Sequence, residues 1–170
     1  MKQLAMLLLA LGLTGAIQAA ERPAYQAGGL QMVGEARLKV LFWSVYDSRL
    51  YTADGDYQAG ERPVRLDIQY LMNIDSDDLV ERTASEWQAQ QRSHERQAQW
   101  LQTLATLWPD VSETDTISLE ILEDNRSVFY RNGELLGSLD DPEFGQYFLD
   151  IWLAPETTRP QLRERLLGLR

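Results

Sequence analysis

The sequence predicts an α+β fold, a largely antiparallel β-sheet with a layer of helices packed on it. Three observations carry this. Extended and helical segments come in separate runs: strands, two helices, strands, two helices. The hydrophobic period changes from that of a strand to that of a helix just after Met72. Asn132-Gly133 stands between two extended runs, the dipeptide best suited to a tight hairpin turn. No repeat, low-complexity tract or linker interrupts residues 21–170, which read as one domain.

The elements follow in order. Residues 21–29 are a lead-in, and residues 30–33 a short apolar strand before a turn at Gly34-Glu35. Residues 37–51 read as one long strand, rich in β-branched and aromatic side chains. Leu38, Val40, Phe42, Ser44 and Tyr46 would share one face, and Lys39, Leu41, Trp43 and Val45 the other. Both faces are largely apolar, so cover on both sides is expected. Residues 54–61 form an acidic loop, and residues 64–72 alternate, with Leu66, Ile68, Tyr70 and Met72 on one face. Asp75 or Ser76 can cap a helix carrying Leu79, Val80, Thr83, Ala84 and Trp87. Ser93 can cap a second, with Trp100, Leu101, Leu104, Leu107 and Trp108, ended by Pro109. Strands return at 117–122, 127–131 and 135–139. Asp141-Pro142 then starts a helix whose stripe is Phe144, Tyr147, Phe148, Ile151 and Trp152. A last short helix covers residues 160–167.

The amino terminus has the order of a cleavable secretory signal. Lys2 precedes an apolar run over residues 4–13, and small residues follow to Ala20. Cleavage is expected after Ala19 or Ala20. The run is too short to span the roughly 30 Å of a bilayer core, which needs about 20 apolar residues. There is no Cys anywhere, so neither a disulfide nor a cysteine-linked lipid is available. An exported, cysteine-free domain of this size points to the periplasm. The net charge of −10 repels phosphate backbones and anionic lipid heads. Binding to nucleic acid or to a membrane surface is therefore not expected, and no later stretch is long and apolar enough for membrane insertion after signal cleavage.

Complete chemical motifs are missing. The one histidine, His94, lies in a polar stretch and reads as a surface residue. Asn73, Asp75 and Asp77 begin like a calcium loop, but the position that needs Gly is Asp78, within helical sequence. Neither metal, cofactor nor catalytic residue is expected. Aromatic residues are more informative. The strand at 37–51 and the helix at 76–91 could line an apolar cleft, with Tyr46, Tyr70, Arg82 and Trp87 as the candidate ligand-binding residues. A partly buried Arg82 beside tyrosine hydroxyls would hold a carboxylate. Its bland alternative is an ion pair with a neighbouring Glu on a solvated helix.

Three segments carry a family resemblance. Residues 33–51, with Leu41-Phe42-Trp43-Ser44-Val45-Tyr46, resemble the long strand of bacterial chalcone isomerase-like proteins. Leu79-Val80-Glu81-Arg82-Thr83 is similar to their first helix, and Asp141-Pro142-Glu143-Phe144 through Leu153 to their C-terminal segment. The resemblance implies an antiparallel sheet layered with helices. Plant enzymes of this family close a chalcone into a flavanone, and plastid relatives bind fatty acids. The plant catalytic Arg, Thr, Tyr and Asn fall near Gly29, Leu41, Asp78 and Ser85, so none is retained. Gly cannot supply the positive charge that an attacking phenolate needs. The expectation is a non-catalytic periplasmic protein that binds a small apolar or amphipathic ligand, such as a fatty acid. An intramolecular lyase or isomerase with a rearranged site, or a structural envelope protein, are the alternatives; the sequence names no protein partner.

Overall fold

The computed structural model describes residues 29–169. The expected signal, residues 1–20, and the lead-in to residue 28 lie outside the described residues. The order is β1 (Gln31–Val40), β2 (Trp43–Thr52), β3 (Val64–Tyr70), α1 (Ser76–Ala89), α2 (Gln97–Leu107), β4 (Thr116–Ile121), β5 (Ser127–Arg131), β6 (Glu134–Leu139), α3 (Phe144–Leu153) and α4 (Pro160–Leu166). All six strands pair in chain order, each antiparallel to the next. The fold is α+β, with a meander sheet under helices.

Residues 37–51 are not one strand. The chain reverses at Leu41-Phe42, and Val40 pairs with Trp43. Leu41 adopts a left-handed φ of 55°, a conformation usually left to Gly, Asn or Asp. With no such residue present, the sequence hides the turn. Cover on both sides is also corrected. Tyr46, Ser48 and Leu50 of β2 lie on the face that carries Ile68 and Leu66 of β3. Arg37, Asp47 and Arg49 lie on the other, where Arg37 pairs with Asp47 at 2.6 Å. The expected turn at Gly34-Glu35 is instead a register irregularity inside β1. A Cβ on Gly34 would sit 2.2 Å from the Arg165 carbonyl oxygen. The missing side chain lets the end of α4 close on the strand.

The core forms on one face of the sheet. Leu50, Leu66, Leu119 and Phe129 stand in register across β2 to β5 and are buried. Leu79, Thr83 and Trp87 of α1, Trp100 and Leu104 of α2, and Phe144 and Phe148 of α3 are buried too. No side chain at Asp75 or Ser76 caps α1; the Ser76 N–H donates to Asp110 Oδ1 at 2.8 Å. The second helix starts at Gln97 rather than beside Ser93, because the Arg96 N–H donates to His94 Nδ1 in a preceding turn. Asn132 and Gly133 have φ of 53° and 85°, the pattern of the two-residue turn expected there.

Asp115 ties the start of β4 to that turn. It accepts hydrogen bonds from Arg131 Nη2 and Asn132 Nδ2, both at 2.7 Å, and from the Ser112 N–H at 2.8 Å. Burial works against its charge, but these donors outweigh it and lower its pKa from 3.8 to about 2. A depressed folded pKa contributes stability that is present above the unfolded value and lost as pH falls through the folded one. Asp115→Asn is expected to lose about 1 kcal/mol at neutral pH, allowing for solvent screening. Urea midpoints measured between about pH 5 and 2 should also fall less steeply in the variant. Parallel pH profiles for the two proteins would contradict this.

Candidate functional site: a cavity between the sheet and the helices

A cavity of about 370 Å³ lies between the apolar sheet face and the helices. That is inside the range of about 300–1,000 Å³ usual for small-molecule sites. Leu66, Ile68, Ile117, Leu119 and Phe129 form its floor. Leu79 and Thr83 of α1 and Phe148, Ile151 and Trp152 of α3 form its roof, and Leu38, Val40, Val45 and Tyr46 of the first hairpin close one side. The alternation of β3 and β4 supplies the floor. The 3.6-residue period of α1 and α3 supplies the roof.

Polar groups enter this apolar space at few points. Tyr46 and Tyr70 meet edge to face, with ring centroids 6.3 Å apart. The Tyr46 hydroxyl accepts a hydrogen bond from Trp152 Nε1 at 2.9 Å. The Tyr70 hydroxyl has no hydrogen-bond partner among the described residues. Burial pushes the Tyr46 hydroxyl up to about 12 and raises that of Tyr70 as well. Both are therefore protonated at neutral pH and act as donors rather than bases.

The charged groups on the lining are Asp78, Arg82, Glu86 and Arg159. Arg82 Nη2 pairs with Glu86 Oε1 at 2.6 Å, and its side chain is 61% exposed. Glu86 Oε2 accepts a further hydrogen bond from Thr158 at 2.7 Å. Arg82 thus stands at the rim with its charge already answered. Arg159 differs. It forms no ion pair among the described residues, and its Nε is buried without a hydrogen-bond partner. A buried donor left unpaired is unfavourable by about 1–3 kcal/mol, and among the described residues no carboxylate pairs with this lining guanidinium.

Of the four residues expected from the sequence, Tyr46, Tyr70 and Arg82 line the cavity. Trp87 does not, and this is a correction. It is fully buried on the far side of α1, packed edge to face on Trp100 at 6.2 Å and Tyr147 at 5.1 Å. Trp87 lies four residues after Thr83, yet α2 covers it while α1 faces the sheet through Leu79 and Thr83. Arg159 also lines the cavity and was not singled out from the sequence. Its signal was an Arg at the N-cap of a helix that begins at Pro160. Ser, Thr, Asn or Asp is favoured there, and the helix dipole disfavours a cation.

A family model described as chalcone isomerase-like matches residues 14–168. The chain belongs to that family. An uncharacterized protein of Haemophilus influenzae is 30% identical over 138 residues, which cover 81% of this chain and 68% of that protein. In structure the chain is similar to a fatty-acid binding protein of Arabidopsis thaliana, with a TM-score of 0.67 and 14% identity over 86% of this chain and 91% of that one. At that identity the likeness shows the chalcone isomerase-like fold. Of the positions that the sequence resemblance puts near the plant catalytic residues, Asp78 lines the cavity. Leu41 is at the tip of the first hairpin, and Ser85 is exposed on α1.

Proposed function

We propose that this chalcone isomerase-like protein binds a small amphipathic carboxylate, a fatty acid in the simplest case, and that it does so in the periplasm after its signal is removed. The observation that carries the reading is Arg159, an unpartnered guanidinium on the wall of an otherwise apolar cavity. An acyl chain would lie along the sheet floor. Its carboxylate would meet Arg159, and the free Tyr70 hydroxyl offers a further donor. The Arabidopsis neighbour, itself a fatty-acid binding protein, supports this class of ligand. Both cavity tyrosines stay protonated at neutral pH, which suits holding an anion better than abstracting a proton.

Native mass spectrometry of protein purified from its own cells should show a co-purified lipid carboxylate. Delipidated protein should then take up saturated fatty acids in a one-to-one titration. Empty protein that no fatty acid from eight to eighteen carbons stabilises against heat would sink the ligand. Cell fractionation with N-terminal sequencing tests the location. A chain starting at Ala20 or Glu21 in the periplasmic fraction is expected, and an intact terminus confined to the cytoplasm would defeat it.

A further inference from the structure

The first hairpin runs past the rest of the sheet. The last β2–β3 pair is Tyr46 with Tyr70, followed by one hydrogen bond from the Leu71 N–H to the Val45 carbonyl. The turn at Leu41-Phe42 lies about 10 Å farther out, at roughly 3.3 Å per residue. What it presents there is apolar: Leu41 is 87% exposed, Phe42 99% and Trp43 71%. Val40 and Met72 beside them are exposed as well. Behind the tip stands Lys39, exposed and without an ion pair among the described residues. The left-handed φ of Leu41 holds this apolar turn in a conformation a glycine or asparagine would adopt more readily. Strain kept at an exposed apolar turn calls for a use of that turn.

We propose that this hairpin tip seats the protein in the interface of a lipid bilayer, with the cavity wall that the same hairpin supplies held close to the membrane. Trp and Phe favour the headgroup level, a Leu beside them reaches the acyl boundary, and a flanking Lys extends its amine back to the polar surface. A second copy of the chain fits less well. A stable dimer buries about 1,600 Å² in total, and a projecting two-residue turn with its two neighbours offers a small convex knob. The same hairpin supplies Leu38, Val40, Val45 and Tyr46 to the cavity wall. A seated tip would therefore let an apolar ligand pass between bilayer and cavity with little exposure to water. The net charge of −10 works against anionic lipids as a whole. The tip is a local exception that depends on apolar contact, so binding should be weakly sensitive to salt. The part played by the cavity rests on the proposed ligand; the seating of the tip does not.

The test is flotation of protein expressed from its full-length gene with phosphatidylcholine vesicles. It is run beside Phe42→Asp and a triple variant, Leu41→Asn, Phe42→Asp and Trp43→Ser. Because these side chains are exposed, the variants should melt at the temperature of the parent. The bound fraction should fall at least tenfold in the triple variant and change little between low and high salt. Fatty-acid titration without vesicles should give equal affinities for parent and variants. Parent protein that stays unbound, or a triple variant that floats equally well, overturns the proposal. So does a parent that sediments as a dimer while the variant is a monomer, which would assign the tip to a second copy. Failure of the fatty-acid titration alone removes the ligand and leaves the flotation result standing.

Discussion

Replacing Arg159 by Gln lowers the affinity for a long-chain carboxylate by roughly 10- to 100-fold and leaves the affinity for its methyl ester unchanged. A hydrogen bond to a charged group contributes about 1.5–3 kcal/mol, and each 1.4 kcal/mol is tenfold. The ester keeps the acyl chain and removes the charge, so the difference between the two ligands isolates the guanidinium. The empty variant should be no less stable than the parent, because Arg159 Nε has no partner to lose. Isothermal titration with both ligands and one thermal melt decide the matter. Equal losses for acid and ester would show that Arg159 acts through packing. No loss for either would move the anchor elsewhere. The same substitution at Arg82 should have a much smaller effect, since Glu86 already answers that charge at 2.6 Å and its side chain is largely in water.

Trp87→Ala has the opposite profile. It empties a fully buried indole site between Trp100 and Tyr147 and is expected to reduce stability by about 3–5 kcal/mol. A domain of this size has about 5–15 kcal/mol in total, so the variant remains folded under native conditions in most of that range. Fatty-acid affinity of the folded fraction should match that of the parent, because Trp87 is not on the cavity wall. Urea denaturation with a lower midpoint and an unchanged slope, paired with a titration at low temperature, separates the two effects. A selective loss of affinity with stability intact would restore Trp87 to the binding site.

Much of the scaffold was legible because its cues are local. The alternation of residues 64–70, the Asn132-Gly133 turn and the stripe from Phe144 to Trp152 each follow from backbone period or turn chemistry. The first hairpin was not legible. Its turn is built from Leu41 and Phe42, which carry no turn signal, so two strands read as one. Trp87 and Thr83 fall on neighbouring positions of one helical stripe. Periodicity alone could not say that the sheet takes one and α2 the other. Arg159 sits next to Pro160, more than seventy residues from Arg82. Only the packing of α4 and its lead-in loop brings both to one cavity.

By itself the sequence determined the α+β class, the strand and helix order from residue 64 onward, and the family segments, because hydrophobic period and turn residues act over a few neighbours. The tertiary structure decided what is cavity and what is core. It buried Trp87, left Arg82 paired at the rim, brought an unpaired Arg159 to the apolar wall, and exposed Leu41, Phe42 and Trp43 at a tip. Burial and pairing depend on which distant segments meet, and no local pattern along the chain records that.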